Sequence, residues 1–389
     1  MPLSDQRTYR KTLGVLELAC LGVGGTIGSG IFVVPGEAAH IAGESSLIAW
    51  LVVSASACAV AFALGSLRAH SPQGSSLIDL LASTFGDSVA ALLVLIYSIG
   101  SVFGVATISA GLGQYLSYLG ITHLDEAEAL IIVAMLAVNL HGISLSGSTE
   151  NLLSILKIAG ILCIIALLAP RIQVQSLMPA SVAPLAALIQ VVVIVYWPFT
   201  GFEISAIPVA ETKDPRSIVP ALVSVMVLVC TIYIALNLAL LGTVGAPALA
   251  ASPAPVAHAM SLVLQGSGPW IALLAIVTML SALNAYIVGA SRCLHDILQL
   301  RRHSRFARLS KRGVPTLALL ATCAGAAGLL RLSNHFGELA AVSVLLTLVP
   351  YIALCWSAFS GGKTATTRAI ALFGAISTLA ILVLYFALL

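Results

Sequence analysis

The sequence predicts an all-α polytopic membrane protein with about 11 transmembrane helices. Three observations carry this. Of 389 residues, 59% are hydrophobic and 8% charged, and the mean hydropathy is +1.07. Ordinary soluble domains carry about 25% charged residues, and one or two cores cannot hide so much apolar surface. The apolar residues fall in runs of about 20, the length that crosses a bilayer core. These runs lack the period-two alternation of barrel strands. The same composition excludes disorder, coiled coil, collagen-like repeats and nucleic-acid binding.

In chain order, the apolar runs are placed at 14–41, 46–67, 88–119, 127–145, 149–169, 184–211, 217–243, 268–297, 315–331, 336–359 and 367–388. Residues 1–13 form a polar leader, read as cytoplasmic, with Arg7, Arg10 and Lys11. The first run is too long for the apolar core of a cleavable signal, and residue 2 is Pro, which rules out myristoylation. With the N-terminus inside, the cytoplasmic loops hold all of the 18 Lys and Arg except Arg171 and Arg331, outside, and Lys157, within a span. Such a bias sets orientation, and the basic loop 301–312 is its largest contributor. The seven cysteines (Cys20, Cys58, Cys163, Cys230, Cys293, Cys323, Cys355) form no C-x-x-C pair and read as buried helix thiols. The scattered histidines give no metal-binding pattern.

Two spans differ from the rest. The first carries Gly22-Val23-Gly24-Gly25-Thr26-Ile27-Gly28-Ser29-Gly30 at its middle, and the sixth carries Trp197-Pro198-Phe199-Thr200-Gly201-Phe202-Glu203. Gly and Pro destabilise a helix interior. Irregular backbone at membrane depth is tolerated only where protein or a cavity surrounds it. The breaks lie five helices apart, and an odd repeat inverts its second copy. Residues 14–169 and 184–359 are therefore read as two inverted five-helix repeats, with 367–388 as an additional helix. Paired interrupted helices of this kind point to a transporter's binding site. The glycines also suit close helix packing.

A broken helix presents free N–H groups on one half and free C=O groups on the other. A zwitterionic amino acid complements both. The amides of Ser29 and Gly30, with the Ser29 hydroxyl, suit a carboxylate; carbonyls near Thr26 and Ile27, and near Trp197 and Thr200, suit an ammonium. Glu203 is read as the only carboxylate deep in a span, where burial demands a partner or a function. Its readings are proton binding, gating, or a satisfied structural acid. Lys157 is either a snorkelling lysine or a fixed cation near the unwound part of the first span. Tyr97, Trp197 and Tyr351 are midplane aromatics, read as packing or site residues. Ser29 has no midplane His or Asp to act as a base, so an intramembrane hydrolase is not expected.

These residues resemble the amino acid–polyamine–organocation (APC) superfamily. Gly25-Thr26-Ile27-Gly28-Ser29-Gly30-Ile31-Phe32 looks like its first-helix signature. Gly201-Phe202-Glu203, followed by Glu211-Thr212-Lys213-Asp214-Pro215, looks like its sixth helix and following loop. Val342-Ser343-Val344-Leu345-Leu346-Thr347-Leu348-Val349-Pro350-Tyr351 and Gln114-Tyr115-Leu116-Ser117-Tyr118 are most similar to the bacterial arginine/agmatine antiporter group. The resemblance implies a LeuT-like five-plus-five inverted repeat with discontinuous helices 1 and 6. It implies substrate contacts at Thr26, Ile27, Gly28, Ser29, Gly30, Trp197, Thr200 and Gly201. A side-chain pocket follows at Gly100, Ser101, Val105, Asn284 and Ser343, and a gating and coupling set at Tyr97, Glu203, Tyr351 and Lys157. Asn284 stands where that group has a tryptophan, and Val105 where it has an asparagine. Both cation-favouring contacts are thus missing, which leaves a neutral amino acid, a smaller cation or an amine. Lys157 is similar instead to the fifth-helix lysine of proton-coupled, sodium-independent members.

The implied activity is secondary transport of amino acids or related amines by alternating access across the plasma (bacterial inner) membrane, as an antiporter or as a proton-coupled permease. The expected partners are the small-molecule substrate, protons and the lipid bilayer, in a monomer or homodimer. No enzyme activity, cofactor, metal or nucleic acid is expected.

Overall fold

A computed structural model describes residues 15–72, 75–141, 147–179, 181–203, 214, 218–300, 309–310 and 313–388. The polar leader, most of the 204–217 loop and most of the basic loop 301–312 lie outside these residues.

Among the described residues the chain is helical, with no strand. The helices are α1 (Val15–Thr26), α2 (Ser29–Ala42), α3 (Ser46–His70), α4 (Leu77–Phe85), α5 (Asp87–Tyr118), α6 (Leu124–Leu140), α7 (Gly147–Leu168) and α8 (Leu185–Tyr196). They continue as α9 (Ile218–Ala250), α10 (Pro255–Val263), α11 (Gly268–Gln299), α12 (Thr316–Leu332), α13 (Phe336–Gly361) and α14 (Ala365–Leu388). Every predicted apolar run coincides with a helix or, for the first, with the broken pair α1–α2. Seven stretches are long and apolar enough to cross a membrane, the first running from Leu18 to His70.

Two short helices lie in what read as connections. Helix α4 starts with a capping box: the Ser76 hydroxyl accepts from the Asp79 amide (3.2 Å) while the Asp79 carboxylate accepts from the Ser76 amide (2.7 Å). Helix α10 opens on Pro255, at the position where a missing N–H costs nothing. Helix α9 departs from helical geometry at Gly245 (φ 78°), next to Pro247. Its continuous part therefore ends close to the predicted boundary at 243.

The burial pattern is that of a protein in lipid. The apolar cores of α13 and of the stretch containing α2 and α3 are 61% buried, but those of α7 and α14 only 28%. Large apolar side chains such as Leu130, Leu152, Trp270 and Phe386 are exposed; in water such a belt would drive aggregation. Interior hydroxyls satisfy themselves on the preceding turn, as in Ser109 to the Val105 carbonyl (2.9 Å) and Thr278 to Leu274 (2.7 Å).

Helix α5 packs against α11 and α13, α3 against α9 and α14, and α9 also against α1 and α2. This brings α1, α2 and α8 side by side in the interior with α5, α9 and α11 around them.

Candidate functional site

The first break falls at Ile27–Gly28. Helix α1 ends at Thr26, and α2 begins at Ser29 with Gly28 extended (φ −138°, ψ −136°). The second follows α8. Pro198 has no N–H to continue the helix, the chain tightens into one 3-10 turn over Trp197–Phe199, and Thr200 is extended. Gly201 then takes φ +94°, a left-handed conformation that glycine adopts without strain.

The two breaks touch each other. A Cβ on Gly201 would lie 2.6 Å from the Gly25 carbonyl oxygen, and one on Gly30 would lie 2.6 Å from the Cα and Cβ of Pro198. The glycines therefore do both jobs foreseen for them: they interrupt the helix, and they let two backbones meet.

Between the breaks lies a cavity of about 190 Å³. It is lined by Gly25, Thr26, Gly28, Ser29, Gly30, Ile108, Trp197, Pro198, Thr200, Ala282 and Tyr286. None of these carries a formal charge, so the site's polarity comes from backbone dipoles and hydroxyls. The Trp197 indole N–H donates to the Ser29 hydroxyl (3.2 Å), placing the ring across the start of α2. Trp197 also packs on Tyr286 of α11 at 5.5 Å between ring centroids. The Tyr286 and Thr200 hydroxyls are 2.7 Å apart, and Thr200 donates to the Trp197 carbonyl (2.7 Å), so Tyr286 is the donor of the pair.

Behind this layer, Glu203 is buried and fully engaged. Tyr97 of α5 donates to Oε1 (2.6 Å), while Tyr351 of α13 (2.7 Å) and the Gly201 amide (3.0 Å) donate to Oε2. These donors replace the water the carboxyl group lost, and they bind the second break to α5 and α13. Lys157, on α7, is buried, and its Nζ donates to the Gly24 carbonyl (3.2 Å) and to the Ser281 hydroxyl on α11 (2.9 Å). Its ammonium thus sits at the C-terminal, negative end of α1.

Of the residues singled out by sequence, Thr26, Gly28, Ser29, Gly30, Trp197 and Thr200 line the cavity; Gly201 and Ile27 are buried beside it, and Tyr97, Glu203 and Tyr351 are hydrogen-bonded together. Others lie elsewhere. Asn284 does not reach the cavity: its Oδ1 accepts from Asn139 of α6 (2.8 Å), and in lipid two amides gain by pairing. Gly100 and Ser343 form a helix contact, with the Ser343 hydroxyl donating to the Gly100 carbonyl (2.7 Å). Ser101 donates back to the Tyr97 carbonyl (2.9 Å), and Val105 is buried outside the lining. Glu203 is also not the only buried carboxylate, because Glu128, near the start of α6, packs on Gly113 of α5.

Sequence reasoning missed Tyr286, Ile108 and Ala282, and it missed Tyr233 of α9. The Tyr233 hydroxyl lies 3.1 Å from both the Thr26 and the Pro198 carbonyl oxygens, one from each break. A tyrosine in a long apolar run carries no local signal that separates such a role from packing.

Comparison with known proteins gives the same picture. The chain is 28% identical over 293 residues to the branched-chain amino acid permease BcaP of Bacillus subtilis, covering 69% of this chain and 62% of that protein. It therefore spans less than two thirds of that relative's length. It is 27% identical over 340 residues to the L-asparagine permease of Streptomyces coelicolor (81% of this chain, 69% of that one). It is 28% identical over 366 residues to the inner membrane transport protein YbaT of Escherichia coli (88% and 82%). With the amino acid permease family matching residues 13–389, nearly its whole length, the chain belongs to that family.

Proposed function

We propose that this protein is a sodium-independent transporter of neutral amino acids, working by alternating access as an exchanger in the plasma (bacterial inner) membrane with its N-terminus in the cytoplasm. The observation that carries the reading is the meeting of the two helix breaks around one uncharged cavity. The amides at the start of α2 and the Ser29 hydroxyl receive the α-carboxylate, and the carbonyls ending α1 and around the 3-10 turn receive the α-ammonium. The side chain then faces Ile108, Ala282 and Tyr286, with no acid to favour arginine. Trp197 closes over the bound substrate. The Tyr97–Glu203–Tyr351 set holds the closed state, and rocking of the α1–α2 and α8 unit exposes the site to the other side. In this reading residues 14–169 and 184–359 are the two inverted repeats. The printed functions of the relatives, permeases for branched-chain amino acids and L-asparagine among them, agree with a neutral substrate.

A second mode, proton-coupled uptake or export, is favoured by one observation: the buried Lys157 ammonium has only neutral partners in Gly24 and Ser281. Losing its proton there would release the end of α1. Counterflow in proteoliposomes tests both. Vesicles are loaded with alanine, leucine, methionine, asparagine, arginine or agmatine, and labelled uptake is followed at two pH values without sodium. Uptake that needs a loaded neutral amino acid and ignores the pH gradient establishes exchange. Accumulation in empty vesicles driven by a pH gradient replaces exchange with proton coupling, and no uptake of any amino acid refutes the proposal.

A further inference from the structure

We infer that Tyr233 is the residue that sets recognition of the substrate's α-ammonium, by pinning together the two backbone carbonyls that receive it. This rests on the transport reading above and adds to it a residue outside the two broken helices.

The Thr26 carbonyl ends α1, and the Pro198 carbonyl belongs to the turn after α8; both residues line the cavity. The two segments are far apart in sequence and nothing covalent fixes the spacing of their carbonyls. The Tyr233 hydroxyl does, at 3.1 Å from each. It owns a single hydrogen, which the two acceptors share, and each carbonyl keeps a lone pair for a further donor. An ammonium brings three N–H groups and no acceptor, so it complements two carbonyls held at a fixed separation.

The hydroxyl is itself immobile. The Tyr233 ring is wholly buried and meets Phe199 edge-on at 5.1 Å and Trp50 at 5.9 Å, while Phe199 and Trp50 also touch (5.9 Å). Trp50 is on α3 and Phe199 is in the second break. The cluster therefore anchors the hydroxyl to the same unit as the carbonyls, and the clasp travels with the breaks instead of opening when the site changes sides. Tyr233 touches no part of the cavity lining except these carbonyls, so it acts as a positioning residue.

The test compares Tyr233→Phe, which keeps the ring cluster, with the native chain in proteoliposomes. Uptake of a labelled neutral amino acid is competed with an unlabelled one and with the corresponding α-hydroxy acid, which keeps the carboxylate and side chain but lacks the ammonium. In the native chain the amino acid competes far better. In Tyr233→Phe the apparent affinity for the amino acid falls about 3–10-fold, the range of one net hydrogen bond, while that for the hydroxy acid is unchanged, so the discrimination ratio drops by the same factor. Equal weakening of both competitors means a general structural role and overturns the inference, as does an unchanged ratio. If the native chain shows neither uptake nor competition, the transport reading itself fails, and this inference with it; the two failures are therefore distinguishable. Should Tyr233→Phe not fold, Phe199→Leu loosens the ring cluster while keeping the hydroxyl, and the same drop in ratio is expected. An unchanged ratio in that variant overturns the inference.

Discussion

The contact between the two breaks can be tested with a single methyl group. Gly30→Ala keeps the amide proposed to meet the carboxylate, so only packing changes. The added Cβ would stand 2.6 Å from both Cα and Cβ of Pro198, where real Cβ atoms stay beyond 3.0 Å and relaxed carbon contacts lie near 3.5–4.0 Å. The neighbour is backbone and ring, with no flexible end to swing away, so the segments must separate by roughly 1 Å. Overpacking of this kind costs about 1–3 kcal/mol. Trp197 closes on Ser29 in this conformation. The cost therefore falls on the closed state, and a shift of that size changes an equilibrium about 5–150-fold. Counterflow by Gly30→Ala is expected to slow by a factor in that range, with a lowered melting temperature in detergent. Gly328→Ala on α12 is the control, because its Cβ would meet nothing within 4 Å. Gly30→Ala running and melting like the native chain would refute the claim that the breaks are packed against one another.

Trp197→Leu removes both the indole donor to Ser29 and the ring packed on Tyr286; turnover is expected to fall more than binding, and equal losses in a binding-plus-flux assay contradict the gate role. Glu203→Gln leaves one acceptor oxygen for donors that now reach two. With charge-assisted bonds worth about 1.5–3 kcal/mol, flux should fall on the order of tenfold or more and its pH profile should flatten; an unaltered pH profile removes Glu203 from any proton path. Because Lys157 already places a cation at the end of α1, uptake in choline buffer should equal uptake in sodium buffer. A sodium requirement would show that the Lys157 ammonium does not serve as the resident charge.

Much of this protein is determined by its sequence alone. Apolar run length and the scarcity of charge give the membrane-spanning helices, since lipid accepts few alternatives to a helix. The glycine cluster of the first span and Trp197-Pro198 of the sixth mark the breaks, because those residues weaken a helix wherever they occur. What tertiary structure decided is which side of an intact helix faces the cavity. Asn284 and Tyr286 are two residues apart on α11, hence about 200° around the helix, and local sequence cannot fix that rotation. The packed structure turns Tyr286 to Thr200 and Trp197 and sends Asn284 to Asn139. Likewise Ser343 and Gly100 read as pocket residues until α5 and α13 close against each other and consume them in a contact. Tyr233 illustrates the same limit. Its hydroxyl matters only because two carbonyls from distant segments converge on it, and that convergence exists only in the assembled bundle.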